Sequence, residues 1–279
     1  MALDTDYPHR IVCMTEETTE TLYALEEQWR IVGISGFTVR PARARKEKPK
    51  VSAFTSAKID KILALKPDLV LGFSDIQADI AAALIKAGVT VKVFNHRSVT
   101  EIFQMIRVLG GMIGCEAKAQ DYAASLMVGL EQLKARALPR GRPKIYFEEW
   151  DDPLISGIRW VSELIEIAGG ADAFPELAAE SLAKARIIEH PERVIEAQPD
   201  IIIGSWCGKK FRPERVAERP GWQEIPAVAH GHVYEIKSPI ILQPGPAALT
   251  EGVQEIAAII DRWAESIQPD SVSRESASA

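Results

Sequence analysis

The chain carries an unbroken acidic run, Glu148-Glu149-Trp150-Asp151-Asp152, whose residue types suit either paired acid/base carboxylates or a metal site. Acid/base work needs two carboxyls held at a fixed distance around one substrate bond, and a sequential run does not by itself supply that. A solvated loop, or a set of acceptors for ligand amides, fits the run better. His230-Gly231-His232 has a chelate-like spacing, but it precedes a strand and has no third ligand nearby, so it reads as a turn. Cys207 has no evident histidine partner, no serine stands in a nucleophile elbow, and no glycine-rich loop is arranged to cradle phosphate. No catalytic residue, metal ligand or cofactor is assigned, and no enzyme is expected.

The chemistry that remains is binding. Ligands of open α/β sheets sit beyond the carboxyl ends of the strands, so the residues that follow each predicted strand are the candidates. In the first half these are Thr15, Glu16, Glu17, Phe37, Phe54, Phe73, Ser74 and Asp75; in the second they are Glu148, Glu149, Trp150, Asp151, Asp152, Trp206, Cys207, Ser238 and Pro239. The ligand contacts expected from this set are Glu16, Phe37, Phe54, Phe73, Ser74, Glu149, Trp150, Trp206, Cys207 and Ser238. Rings at such positions give broad apolar contact while polar neighbours fix orientation, which suits a large flat ligand better than a sugar or amino acid. Phe54, Phe73 and Trp150 would serve equally as plugs between lobes. Gly204-Ser205-Trp206-Cys207-Gly208 puts Trp206 in a glycine-flanked turn outside any core, whereas Trp160 reads as a core residue on a helix. Arg40, Arg43, Arg45, Lys46, Lys48 and Lys50 form a basic run that reads as a solvated face, or as a holder of acidic ligand groups if it borders the site.

The elements that must position these residues follow from an internal repeat. Ile59-x-x-Ile62-x-x-Leu65-x-Pro67-Asp68-Leu69-Val70-Leu71-Gly72 is echoed by Val194-Ile195-x-x-x-Pro199-Asp200-Ile201-Ile202-Ile203-Gly204. In each copy an amphipathic helix stops before Pro-Asp and an all-apolar strand follows, as in the centre of a parallel sheet. Asp75 is placed to cap a helix that ends at Gly88, and Val89 to Phe94 reads as the next strand, giving a right-handed parallel crossover. Arg10 to Met14 reads as an opening strand, followed by a helix with Glu16 and Glu17 in its first turn. Lys144 to Phe147 and Val233 to Ile236 read as strands, and Trp160 to Ala168 as a helix. Ser98-Val99-Thr100-Glu101 is a capping box. Glu116 to Ala137 reads as one long helix between halves, a connector that resists large bending, and Pro244 to Ala264 as a closing helix.

With 279 residues, 47% hydrophobic and 26% charged, each half can bury a core of its own, and a net charge of -6 argues against a general nucleic-acid binder. The expected organisation is an α/β chain of two lobes, each with a central, mainly parallel sheet flanked by helices: 1–112, a linker helix 113–138, 139–268, and a disordered tail 269–279. Met1 to Arg10 has no apolar run and no later stretch reaches transmembrane length. A cytoplasmic location is expected for the chain as it stands, and a periplasmic one if an export signal precedes it. Cys13, Cys115 and Cys207 read as separate thiols.

In order and spacing, Arg10-Ile11-Val12-Cys13, Thr18-x-Glu20-x-Leu22-x-Ala24-Leu25, Lys66-Pro67-Asp68-Leu69-Val70, Ala168-Gly169-Gly170 and Gln198-Pro199-Asp200-Ile201-Ile202-Ile203 form a pattern. It resembles the helical-backbone metal-chelate receptors of ABC importers, a class III periplasmic-binding-protein-like family that includes cobalamin- and ferric-siderophore-binding proteins. The cobalamin branch is most similar, because it places aromatics where Phe54, Phe73 and Trp150 stand. The resemblance implies two lobes bridged by a long helix, a monomer, and a corrinoid held in the cleft between the lobes for uptake or cytosolic carriage. A ferric siderophore or haem is the alternative, and an enzyme acting on a metal chelate through Glu149 or Cys207 the alternative of another class. It also implies a carboxylate on each lobe for docking to an ABC permease; the corresponding loops here offer Gln77 and Asp79, and Glu214.

Overall fold

The computed structural model describes residues 7–136 and 141–267. The expected tail 269–279, and most of the segment read for an export signal, lie outside them. Two compact units emerge: the described chain up to Leu130 together with Pro239–Thr250, and Glu131–Ser238 together with the described chain from Glu251 onward. The sequence reading had assigned Pro239–Thr250 to the second half.

The first unit runs β1 (Ile11–Cys13), α1 (Glu16–Ala24), β2 (Ile31–Ser35), α2 (Ala44–Glu47), β3 (Lys50–Ser52), α3 (Ile59–Ala64), β4 (Leu69–Phe73), α4 (Ala78–Lys86), β5 (Val91–Phe94), α5 (Val99–Met112) and the start of α6 (Glu116–Lys134). Its five strands are ordered β3-β2-β1-β4-β5 and every pairing is parallel, so all five carboxyl ends lie along one edge. The second unit holds β6 (Lys144–Asp151), β7 (Leu154–Ser156), α7 (Arg159–Ala168), β8 (Ala171–Asp172), α8 (Pro175–Ala178), α9 (Glu192–Ala197), β9 (Ile201–Gly204), α10 (Pro213–Ala217), α11 (Pro226–Ala229), β10 (Val233–Glu235) and α13 (Val253–Ser266). The short α12 (Ser238–Ile241) starts at its edge. Strands β10, β9, β6 and β8 pair in parallel, and β7 turns back antiparallel on β6.

The repeat explains much of this plan. Lys66 (φ 48°) and Gln198 (φ 47°) both occupy the left-handed region immediately before Pro-Asp, each closing its helix in a left-handed cap that the following proline cannot continue. Each Asp then clips its strand to the neighbour. Asp68 accepts from the backbone N–H groups of His9 (2.7 Å) and Arg10 (3.0 Å), and Asp200 from that of Lys144 (2.8 Å). The side chains of Arg10 and Lys144 reach the last carbonyls of the preceding helices, on Leu65 (2.6 Å) and Ala197 (2.7 Å), where a cation complements the helix dipole. The strands that follow, β4 and β9, are buried throughout. Cores form around them: Val12, Met14, Val51, Ile62, Val70 and Leu84 in the first unit, and Tyr146, Ile202, Trp206, Phe211 and Trp222 in the second.

Three local expectations are corrected. Ser74, not Asp75, makes the capping bond, its hydroxyl accepting from the Ile76 N–H at 3.3 Å. The acidic run is not a solvated loop: β6 continues through Asp151, because β7 pairs with its far end. Helix α13 starts at Val253, after a π-turn at Ala248–Gly252, and not at Pro244. The capping box at Ser98 and Glu101 forms as read, and Trp160 is a core residue.

Candidate functional site

In the first unit the candidate residues line the carboxyl-end edge of the sheet, and a glutamine ties them together. Gln77 is fully buried; its amide NH2 donates to the carbonyls of Met14 (3.3 Å) and Phe54 (3.0 Å), while its Oε1 accepts from the Phe73 N–H (3.0 Å). One side chain thereby fixes the ends of β1 and β4 and the turn after β3. This corrects the reading of Gln77 as a docking residue, since its amide is occupied internally and has no surface to offer. Gly72 permits the arrangement: a Cβ there would lie 2.9 Å from the Met14 methyl and 3.0 Å from Gln77 Oε1.

Phe54 is half-buried in its turn and Phe37 is 56% exposed, whereas Phe73 is buried. The Phe73 ring meets His96 edge-on at 5.1 Å and has the Arg97 guanidinium 4.8 Å above it; Arg97 also reaches Asp75 at 3.4 Å. Ser74 stands at φ 64°, ψ 178°, a backbone region that is almost restricted to glycine and is occupied mainly at functional positions. Its N–H donates to the Phe94 carbonyl at 2.7 Å, which holds the bend against the end of β5. His96, after β5, was missed by the sequence reading, although the rule that selected the other residues would have selected it. Its Nε2 lies 2.7 Å from the Pro244 carbonyl, so that nitrogen carries the proton, and Nδ1 is buried without a partner. Burial pushes its pKa down to about 4. A cavity of about 350 Å³ adjoins it, lined by Phe94, Asn95, His96, Glu101 and Met105 among others.

Two carboxyls open α1. Glu16 accepts from the Val39 N–H at 3.1 Å, and burial raises its pKa to about 8. Glu17 is wholly buried, accepts from the Thr15 hydroxyl, and leaves its Oε2 without a partner; burial raises its pKa to about 7. The basic run brackets the β2–β3 connection. Arg45 donates to the carbonyls of Gly36 (2.7 Å) and Thr38 (3.0 Å), Arg40 pairs with Glu20 (3.1 Å), Arg43 covers the Tyr23 ring, and Lys50 donates to the Arg45 carbonyl.

In the second unit the acidic strand alternates as a strand must. Glu148 points inward, wholly buried. It receives Arg219 at 2.6 and 2.8 Å, the Trp206 indole N–H at 3.0 Å and the Tyr146 hydroxyl at 3.1 Å. Glu149 forms a bidentate pair with the buried Arg186. Trp150 is half-buried and donates its indole N–H to the Asp152 carbonyl at 2.9 Å. Trp206 is corrected: it lies in the core at 3% exposure with its ring 4.8 Å from Phe211, because the Glu148 carboxylate gives its N–H a buried partner. Cys207 next to it is exposed, and Ser238 is half-buried at the start of α12. Cys13, Cys115 and Cys207 form no disulfide. Asp79 and Glu214 are exposed in the first turns of α4 and α10. A cavity of about 440 Å³ opens beside the β6–β7 turn, with Asp152, Leu154, Ile188, Arg219 and Trp222 in its wall.

Among the described residues no group of three metal-ligating side chains converges, and no helix is long and apolar enough to cross a membrane. The strand ends of the first unit thus carry rings, a buried amide and carboxyl groups, and those of the second carry indoles and carboxylates.

The chain is similar to known proteins in sequence and in fold. An uncharacterized ABC transporter substrate-binding lipoprotein of Bacillus subtilis is 29% identical over 273 residues, covering 94% of this chain and 81% of its own. A vitamin B12-binding protein of Vibrio parahaemolyticus is 26% identical over 252 residues, covering 86% and 85%. Among solved structures, a periplasmic heme-binding protein of Roseiflexus superposes with a TM-score of 0.75 at 23% identity, covering 93% of this chain and 99% of that one. The family described as Periplasmic binding protein matches residues 11–240, so this two-unit α/β chain belongs to that family.

Proposed function

We propose that the chain is the solute-binding component of an ABC importer and that its solute is a corrinoid. The observation that carries this reading is the set of rings at the carboxyl ends of parallel strands: Phe37 and Phe54 in the first unit and Trp150 in the second are at least partly open to solvent, next to amide and carboxyl groups. Relatives named for vitamin B12 binding support the ligand class. Glu16, Phe37, Phe54, Phe73 and Ser74 form the solute face of the first unit. Glu149, Trp150, Cys207 and Ser238 form that of the second, with the buried Trp206 supporting Trp150 from behind. Asp79 and Glu214 are the carboxylates offered to a permease. The protein works as a monomer outside the cytoplasmic membrane, the second of the two locations the sequence allowed; a relative named as a lipoprotein supports this.

Titration of the purified chain with cyanocobalamin and with hemin, read by visible absorbance and calorimetry, tests the reading. Saturable binding of cyanocobalamin, recovered chemically unchanged, is the expected result. Binding of hemin alone would move the assignment to haem, a reading favoured by the likeness to a heme-binding fold. Binding of neither probe would sink the corrinoid proposal.

A further inference from the structure

Lys209 follows Gly208 in the exposed turn after β9, yet its ammonium is held in place. Both carboxylate oxygens of Asp151 lie 2.7 Å from its Nζ. The same Nζ lies 5.3 Å from the centre of the Trp150 ring and 5.0 Å from that of Trp206, within the range where a cation is attracted to an indole face. The two indoles differ in burial. Trp206 is fixed in the core by Glu148 and Phe211, and Glu148 is fixed by Arg219. Trp150 is the partly open ring: it packs against the core on one side and donates its N–H to the Asp152 carbonyl. Lys209 therefore links the partly open indole to the buried one, and the Asp151 carboxylate, only 10% exposed, holds the link.

We infer that Lys209 is a positioning residue for solute binding: it sets the orientation of the Trp150 ring before the solute arrives. The inference rests on the proposed function, in which Trp150 faces the solute. A ring already in its bound orientation loses little side-chain freedom on binding, and affinity rises accordingly. A lysine in water would carry its full rotamer freedom; the carboxylate and the two ring faces remove it here. Asp151 takes two of the three ammonium N–H groups. The third remains for an acceptor on the solute rim, and both the amides of a corrinoid and the carboxylates of a haem supply one.

Lys209→Met keeps the aliphatic stem and removes the charge and the donors. Near-UV circular dichroism of the unliganded protein reports indole orientation without any ligand, and Trp150→Phe calibrates the part due to Trp150. In Lys209→Met the Trp150 contribution is expected to collapse towards the Trp150→Phe spectrum, with the melting temperature little changed. Affinity for cyanocobalamin should fall about tenfold. Lys209→Arg, which can still pair with Asp151 and stack on indole, should restore both signals. An unchanged Trp150 signal in Lys209→Met overturns the inference even if the wild type binds neither cyanocobalamin nor hemin, so its failure is separable from that of the ligand assignment. A lost signal with affinity within twofold of wild type also overturns it, because Lys209 would then order a ring that the solute does not use.

Discussion

Glu17 and Glu148 are both wholly buried near the carboxyl ends of parallel strands, one in each unit, and the chain handles their charges in opposite ways. Glu148 sits within β6 and is met by a guanidinium, an indole N–H and a phenol, so its negative charge is matched on every side. Glu17 follows β1 and is met by one hydroxyl and the start of a helix, with one oxygen left over and two more carboxyls, Glu16 and Glu20, beside it. Taking a carboxylate out of water is costly unless a cation and hydrogen bonds replace the lost solvation. The second unit supplies that replacement, and its strand-end frame is held by charge. The first unit does not, and burial raises Glu16 to about 8 and Glu17 to about 7. The comparison teaches that one strand-end edge meets its buried carboxyl with a cation, while the other leaves buried acids whose raised pKa values make it respond to pH near neutrality.

The largest effect should come from breaking the charged frame. Arg219→Met leaves Glu148 buried without its cation and is expected to cost about 3 to 5 kcal/mol in urea unfolding. Adding Glu148→Gln to that variant should recover a large part of the loss. If the double variant is as unstable as the single one, the cost lies in packing against Trp222, whose ring Arg219 covers at 4.4 Å, and not in the charge.

Glu17 gives the second effect, with the opposite dependence. In the unfolded chain its carboxyl titrates near 4.5, and in the folded protein near 7. Below pH 4.5 both states hold the proton and burial costs nothing; as pH rises towards 7 the unfolded state releases the proton first, and stability from this group is lost. Glu17→Gln should therefore stabilise the protein at pH 8 by about 3 kcal/mol and leave it nearly unchanged at pH 4. A pH-independent difference between variant and wild type would show that Glu17 is not a neutral acid in the fold.

The two copies of the Pro-Asp clip permit a finer comparison. Asp68→Ala removes acceptors from two backbone N–H groups and Asp200→Ala from one, so the first should cost about 1 to 2 kcal/mol and the second about 1 kcal/mol by chemical denaturation. A reversed order would mean that strand register in the first unit does not depend on the clip. The smallest change concerns Ser74. Ser74→Gly relieves a strained backbone but loses the bond from the Ile76 N–H, leaving a net gain of about 0.5 kcal/mol by thermal melting.

The elements that the chain announces are those governed by near neighbours in sequence. Pro-Asp before an apolar run, the Ser98-Glu101 box and the carboxyls of the first turn of α1 are local patterns, and each forms as the pattern requires. The strand ends were legible too, because parallel pairing sets the carboxyl ends of the strands along one edge. What misled was the partner of each polar side chain. Gln77 reads as a surface amide until the ends of three segments close around it, and Trp206 reads as a turn residue until Glu148, 58 positions away, accepts its N–H.

By itself the sequence determined the α/β class, the two-fold repeat of helix, Pro-Asp and buried strand, and the set of residues that stand at strand ends. It did so because helix stop, strand burial and capping are decided within a few residues of one another. Tertiary structure alone decided which of those residues face outward, which buried carboxyls meet a cation, and which cation lies over which ring. Burial and pairing depend on groups from distant segments: Arg219 against Glu148, and Lys209 between Trp150 and Trp206. Nothing in the neighbouring residues specifies where those partners will arrive.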